Sequence, residues 1–287
     1  MTTVAYLGPE NTNTHVAAQA KFGKRADFVH APTVEDVFRS VERRQADFGV
    51  VPIENSLEGA VTHTLDRFID FIDTPVQIQG DIELPIRHSL IILNGARLLD
   101  LKIVFSHPQA LAQCRHWLDQ KFPGIRRMET RSTAEAVQRL LDRTDTIDAD
   151  GGGKPVNSLE IAAIARAELA ERGLKAIPIP EVRENKTRFL ILGLGEPKKG
   201  KRNKTSVVFA LKDKPGALHD ALVPFKRNKI NLTKIESRPS KRKAWEYVFF
   251  IDVEGHESDV SVQRALKALG SSTSIVRILG SYPVAAR

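Results

Sequence analysis

Along the first two thirds of the chain, short apolar runs alternate with segments whose apolar residues recur at helical spacing. Val4-Ala5-Tyr6-Leu7 predicts a strand, and a polar turn then leads into a helix from about Thr14 to Phe22. Thr33 to Arg44 predicts a second helix with Val34, Val37, Phe38 and Val41 on one face, and Phe48 to Ile53 predicts a buried strand. Leu57, Val61, Leu65, Phe68 and Ile72 follow at steps of four, four, three and four, which predicts one continuous helix. Ile103 to Phe105 reads as a further strand, backed by a helix carrying Leu111, Cys114 and Leu118 on one stripe. A helix from Leu159 to Arg172 and a strand at Phe189 to Leu192 complete the region. Strands alternating with helices imply an α/β layered fold.

The polar segment from Asp142 to Ser158, with its run of glycines at 151–153, reads as a surface loop inside this region. A basic stretch at 196–204 reads as a linker. Beyond it the order is strand 206–211, helix 216–227, strands 230–237 and 246–253, helix 258–269 and strand 274–280. That βαββαβ order is the ferredoxin-like arrangement. The expected organisation is therefore 1–195, a linker at 196–204, and a small module at 205–287.

Composition narrows the class. The 287 residues suit about two domains. No apolar run approaches the roughly 18 residues of a membrane span. Met1-Thr2-Thr3 leads directly into an apolar strand, so no signal peptide is expected. The single cysteine, Cys114, excludes an internal disulfide and a cysteine-based zinc site, and its place on an apolar stripe points to packing. A cytosolic enzyme or binding protein fits best. The net charge of +8 fits either a nucleic acid or a small anion as partner. Lys198, Lys199, Lys201, Arg202 and Lys204, and the cluster at 241–243, read as solvated linker and hairpin-tip charges. No aromatic residues interleave them to stack bases, so no nucleic-acid partner is expected.

Two further patterns carry no chemistry. Residues 195–201 match the spacing of a phosphate loop, but Arg202 stands where a Ser or Thr would hold magnesium, and no helix follows. None of the eight histidines is paired at i, i+4 with a nearby carboxylate. They read as solvated or capping residues, and no metal is expected.

Polar clusters recur where a strand leads into a helix, the usual ligand position in open α/β sheets. They are Thr12-Asn13-Thr14, Glu54-Asn55-Ser56, and Ser106-His107-Pro108-Gln109 with Gln113 one turn on. Asn55 with Glu58, and Ser106 with Gln109, also satisfy a capping-box pattern. Asn185-Lys186-Thr187-Arg188-Phe189 enters the last strand and adds a cation able to hold a carboxylate bidentately.

The segments Gly49–Ser56, Ser106–Cys114 and Asn185–Phe189 strongly resemble prephenate dehydratases. Gly216-Ala217-Leu218-His219 and Glu236-Ser237-Arg238-Pro239 resemble the phenylalanine-binding motifs of that family's regulatory ACT domain. The resemblance implies a two-lobed catalytic domain similar to periplasmic binding proteins, with a central cleft and no metal or organic cofactor. Prephenate would lose water and carbon dioxide to give phenylpyruvate. Thr187 matches the family's essential threonine, the favoured donor to the departing hydroxyl, with Glu54 as the neighbour that tunes it. To act as the acid itself Glu54 would need a pKa raised by burial, and which of the two delivers the proton stays open. Thr12 or Thr14, Asn55, Ser56, Ser106, Gln113, Arg188 and Phe189 match substrate-positioning residues.

Gly216, Ala217, Leu218, Asn231, Leu232, Glu236, Ser237, Arg238 and Pro239 would hold phenylalanine between ACT domains of a homodimer or homotetramer. Departures from the family pattern are Asn11 and Asn13 in the first motif, Arg166 in place of a small residue, and His219 in place of a more apolar one. The rival readings are an arogenate dehydratase on the same scaffold and a non-catalytic two-lobed amino-acid sensor. A fused chorismate mutase is not expected, because the first motif begins at residue 4.

Overall fold

The computed structural model describes residues 1–142, 157–170, 173–180, 184–211, 214–240 and 246–284. The glycine-rich loop at 148–153, the basic cluster at 241–243 and Asp213 lie outside these residues. The chain forms two compact units. One contains residues 1–8, 14–84 and 187–287, and the other residues 9–13 and 85–186.

The first unit begins with β1 (Thr3–Leu7), α1 (Asn13–Phe22), β2 (Asp27–Ala31), α2 (Val34–Glu42), β3 (Phe48–Asn55), β4 (Gly59–Ala60), α3 (Thr62–Asp70) and β5 (Val76–Pro85). After the excursion through the second unit, β11 (Lys186–Leu194) returns between β3 and β5, giving the order β2-β1-β3-β11-β5. Thr33 caps α2, its hydroxyl accepting from the Asp36 N–H, so the polar residue just ahead of the apolar stripe sets the helix start. The predicted helix over 57–72 is shorter than its periodicity. Residues 57–61 form a turn and β4, and Leu57 is exposed.

The second unit holds β6 (Ser89–Leu93), β7 (Ile103–Ser106), α4 (Pro108–Gln113), α5 (Arg115–Lys121), β8 (Arg126–Glu129), α6 (Thr133–Leu141), β9 (Ile161–Ala165) and β10 (Leu174–Pro178). Its sheet runs β10-β6-β9-β7-β8. The expected helix over 159–172 is instead β9, whose five residues are all buried between α4 and α6 neighbours. An apolar run buried on both faces has no periodicity to separate strand from helix, and burial overrides the helix preference of its alanines. Cys114 is buried with Leu111, Trp117 and Leu118, in keeping with a packing role.

The last module contains β12 (Asn203–Leu211), α7 (Ala217–Arg227), β13 (Leu232–Pro239), β14 (Tyr247–Glu254), α8 (Val260–Ser272) and β15 (Thr273–Pro283). Its antiparallel order β13-β14-β12-β15 is the ferredoxin-like one, with α7 and α8 packed on one face. The other face shares a core with the first sheet. Val208, Ala210, Phe250, Leu279 and Tyr282 pack against Ile53, Leu65, Phe68 and Ile78. Arg277 fastens the junction: its guanidinium donates to the carbonyls of Phe71, Ile72, Thr74 and Val76, which follow α3. At Gly280 a Cβ would stand 2.3 Å from the Ile78 carbonyl oxygen, so only glycine permits this approach of β15 to β5.

Candidate active site

The first cluster is set by strand register. β11 runs antiparallel to β3 with Thr187 opposite Asn55 and Arg188 opposite Glu54, and the register shifts just after Arg188. Residues directly opposite share a face and successive residues alternate, so Thr187 and Asn55 lie on one side of the sheet and Arg188 and Glu54 on the other.

On the first side, Asn55 Nδ2 donates to Thr187 Oγ1 over 2.9 Å. The orientation of this amide follows from its other end. Asn55 Oδ1 accepts from the backbone N–H groups of Leu57 (2.9 Å) and Glu58 (3.2 Å), and a backbone N–H can only donate. The cap reading and the site reading of Asn55 therefore hold together, one at each end of its side chain. Because Thr187 Oγ1 receives this hydrogen bond, its own proton is polarised and directed away from Asn55.

On the opposite side, Arg188 Nη1 lies 2.9 Å from Asp252 and Nη2 2.9 Å from Glu54 Oε2, an oxygen that Lys234 also reaches at 3.1 Å. Lys204 lies 3.4 Å from Asp81. Ser206 donates to Asp252 over 2.6 Å and pairs with the buried Tyr282 hydroxyl. Burial alone would lower the Arg188 pKa, but Asp252, Tyr282, Glu54 and Asp81 more than offset it, so the guanidinium is held charged. The Tyr282 phenol is pushed well above its usual range, first by burial and then by Asp252 and Asp81.

This geometry corrects three expectations. Glu54 is not the neighbour of Thr187, because it lies on the other face of β3 and is shared between Arg188 and Lys234. Arg188 spends its guanidinium on Asp252 and Glu54 rather than presenting it to a ligand carboxylate. Phe189 is buried with Val4, Tyr6 and Ala17, where it packs β11 against α1. The basic linker also ends differently from expectation, since Lys204 is only 11% exposed and belongs to the ion cluster.

The second unit builds its own polar cluster at the entry to β6. Gln113 Oε1 accepts from Asn185 Nδ2 over 2.9 Å and lies 2.8 Å from His88 Nε2. His88 and Asn185 are buried. Burial lowers the His88 pKa, with only partial opposition from its hydrogen bond to Gln113, so the imidazole is held neutral. His88 corrects the reading of the histidines as solvated or capping residues, and periodicity alone left it unmarked. The available signal was a lone histidine opening the apolar run Ser89–Leu93. His107 does act as a cap, its Nδ1 accepting from the Gln109 N–H at the start of α4.

Ser106 is fully buried and donates to the Ile164 carbonyl over 2.6 Å. It therefore ties β7 to β9 and has no proton to offer a ligand, a correction to its expected positioning role. Thr12 donates to the Pro9 carbonyl, and Asn11 holds the left-handed backbone its turn requires at φ 62°. In the first unit Thr14 is buried in the first turn of α1, and Ser56 is exposed.

In the last module Gly216 takes φ 77° at the start of α7, with Ala217 and Leu218 opening the helix. Asn231 and Leu232 lead into the edge strand β13. Arg238 Nε reaches Asp66 at 3.2 Å and Lys234 reaches Glu54. Alternation thus sets Lys234, Glu236 and Arg238 toward the first sheet, with Ile235, Ser237 and Pro239 on the other face.

Comparison with known proteins finds similarity along nearly the whole chain. Residues 4–197 match the prephenate dehydratase family model and residues 205–271 the ACT domain model. The bifunctional chorismate mutase/prephenate dehydratase of Aquifex aeolicus is 43% identical over 98% of this chain and 74% of its own length. The prephenate dehydratase of Methanocaldococcus jannaschii is 39% identical over 98% of each chain. The crystal structure of the Arthrobacter aurescens prephenate dehydratase in complex with L-Phe superposes with a TM-score of 0.84, at 34% identity over 98% of this chain and 89% of that one. The chain belongs to the prephenate dehydratase family, decarboxylating dehydratases of the lyase class, and carries an ACT domain after its catalytic region.

Proposed function

We propose that this chain converts prephenate to phenylpyruvate, with Thr187 as the hydrogen-bond donor to the departing ring hydroxyl. The observation that carries this reading is the fixed amide of Asn55, which donates to Thr187 Oγ1 and leaves the threonine proton for a ligand. In the reaction, the bond between the ring and its carboxylate breaks and its electron pair enters the ring. The ring C–O bond breaks in turn, and the hydroxyl leaves as water after taking up one proton. A donor at the hydroxyl stabilises the charge that develops on the leaving oxygen. Gln113 is read as a substrate-positioning residue, on the strength of the motif resemblance. The reaction needs no external electron carrier, because the breaking carbon–carbon bond supplies the pair.

Phenylalanine is proposed as the effector at the ACT domain, supported by the residues Gly216–Leu218 and Glu236–Pro239 and by the Arthrobacter relative solved with L-Phe. A homodimer or homotetramer through the ACT domains is part of the same reading, supported by the exposed Ile235 on the edge strand β13. A cytosolic setting is expected. The test is direct turnover of prephenate and arogenate side by side, with phenylpyruvate followed by its absorbance. Carbon dioxide release with prephenate as the better substrate supports the reading, and no release from either substrate defeats it. Identical prephenate saturation curves with and without millimolar phenylalanine would remove the effector assignment.

A further inference from the structure

Among the described residues, four buried side-chain polar atoms have no hydrogen-bond partner. Two of them, His88 Nδ1 and Arg166 Nη1, belong to residues that flank neighbouring strands of the second unit, one just before β6 and one just after β9. β6 and β9 are antiparallel, with Ser89 opposite Ala165. Continuing that register by one residue sets His88 opposite Arg166, and opposite residues present their side chains to the same face.

The two atoms have complementary characters. Gln113 Oε1 accepts from Asn185, and an oxygen facing His88 Nε2 calls for the imidazole proton on that nitrogen, which leaves Nδ1 as a bare acceptor. The Arg166 side chain is 14% exposed, and its Nε reaches the outlying carboxylate of Glu168 at 3.3 Å. Its Nη1 is a buried donor on a cation with no acceptor. Leaving such a group unmet is costly, and a carboxylate is the ligand group that answers it best.

We propose that Arg166 and His88 form a subsite of the second unit, in which Arg166 Nη1 donates to a substrate carboxylate and His88 Nδ1 accepts from a substrate hydroxyl. This deepens the reading of the chain as a prephenate dehydratase and rests on it. Prephenate carries a carboxylate and a hydroxyl on opposite carbons of its ring, a spacing close to that between neighbouring strands. The ring hydroxyl donates to His88 Nδ1 in the bound substrate, so the contact contributes to binding. Arg166 thereby changes from an unexplained departure in the family pattern into this chain's own contact with the substrate.

The test compares the wild-type chain with Arg166→Gln and Arg166→Ser, by prephenate saturation kinetics and by calorimetric binding of prephenate. Either variant is expected to raise KM and Kd at least tenfold while kcat stays within threefold, with Arg166→Lys recovering part of the loss. KM and Kd within twofold of wild type in a folded variant would overturn the proposal, and Arg166→Ser decides if Arg166→Gln does not fold. His88→Phe, which cannot accept, is expected to raise KM threefold or more, and an unchanged KM there removes His88 from the subsite. A wild-type chain that binds prephenate without releasing phenylpyruvate defeats the enzymatic reading while the Kd comparison still decides the subsite. No binding of prephenate at all overturns both.

Discussion

The polar cluster behind Thr187 and the one around Gln113 are built from opposite materials. The first gathers Arg188, Lys204 and Lys234 against Glu54, Asp81 and Asp252, three cations with three carboxylates, between the first sheet and the ACT sheet. Every charge there meets an opposite one inside the protein. The second is made of two amides and a neutral histidine, and it leaves an acceptor on His88 and a donor on Arg166 unanswered. A cluster whose charges pair with one another holds the two sheets together, although Arg188 Nε is left without a partner there. The amides and the histidine of the second enter no internal ion pair among the described residues. Charge alone was therefore a poor guide to the site. Two charged residues that the sequence reading gave to the site, Glu54 and Arg188, serve the junction, and the neutral Asn55 serves Thr187.

The contrast is sharpest under substitution. Arg188→Met should have the largest effect, about 3 kcal/mol of stability, because it strips Asp252 of its closest cation in a buried place. Denaturant unfolding reads this, and a midpoint equal to wild type would mean that Lys204 and Lys234 neutralise the carboxylates unaided. Thr187→Ala comes next, with turnover reduced at least tenfold, about 1.4 kcal/mol of barrier, and the unfolding midpoint little changed. Wild-type turnover in that variant would move the donor role elsewhere.

The smallest effect concerns pH. Burial depresses the His88 pKa in the folded chain below its ordinary value of 6.5, so the unfolded chain binds the proton more readily. Stability is expected to be complete above that value and to fall as pH drops below it toward the folded pKa. In His88→Phe that part of the slope should vanish, as urea unfolding at pH 7 and pH 5 would show.

Much of this was legible in residue order. The stripe of α2 specified a helix, because one face is buried and the other is wet. Val4–Leu7, a short apolar run buried on both faces, and the βαββαβ order of the last module were legible from run length and turn spacing. The motifs around Asn55, Gln113 and Thr187 identified the family. Two assignments failed for related reasons. Residues 161–165 are buried on both faces, which erases the periodicity that separates strand from helix. The stripe from Leu57 to Ile72 was read too long, because Leu57 kept the spacing while remaining in solvent.

The sequence by itself determined which residues carry chemistry and which elements hold them, since patterning and motif spacing are local properties of a chain. Only the tertiary structure decided what each polar side chain does. Strand pleating sends Thr187 and Arg188 to opposite faces although they are neighbours, and the packing of the ACT sheet turns one of those faces into a closed ion cluster. Whether a buried polar atom is satisfied depends on partners as distant in the chain as Glu54 and Lys234 or His88 and Gln113, a property no local pattern encodes.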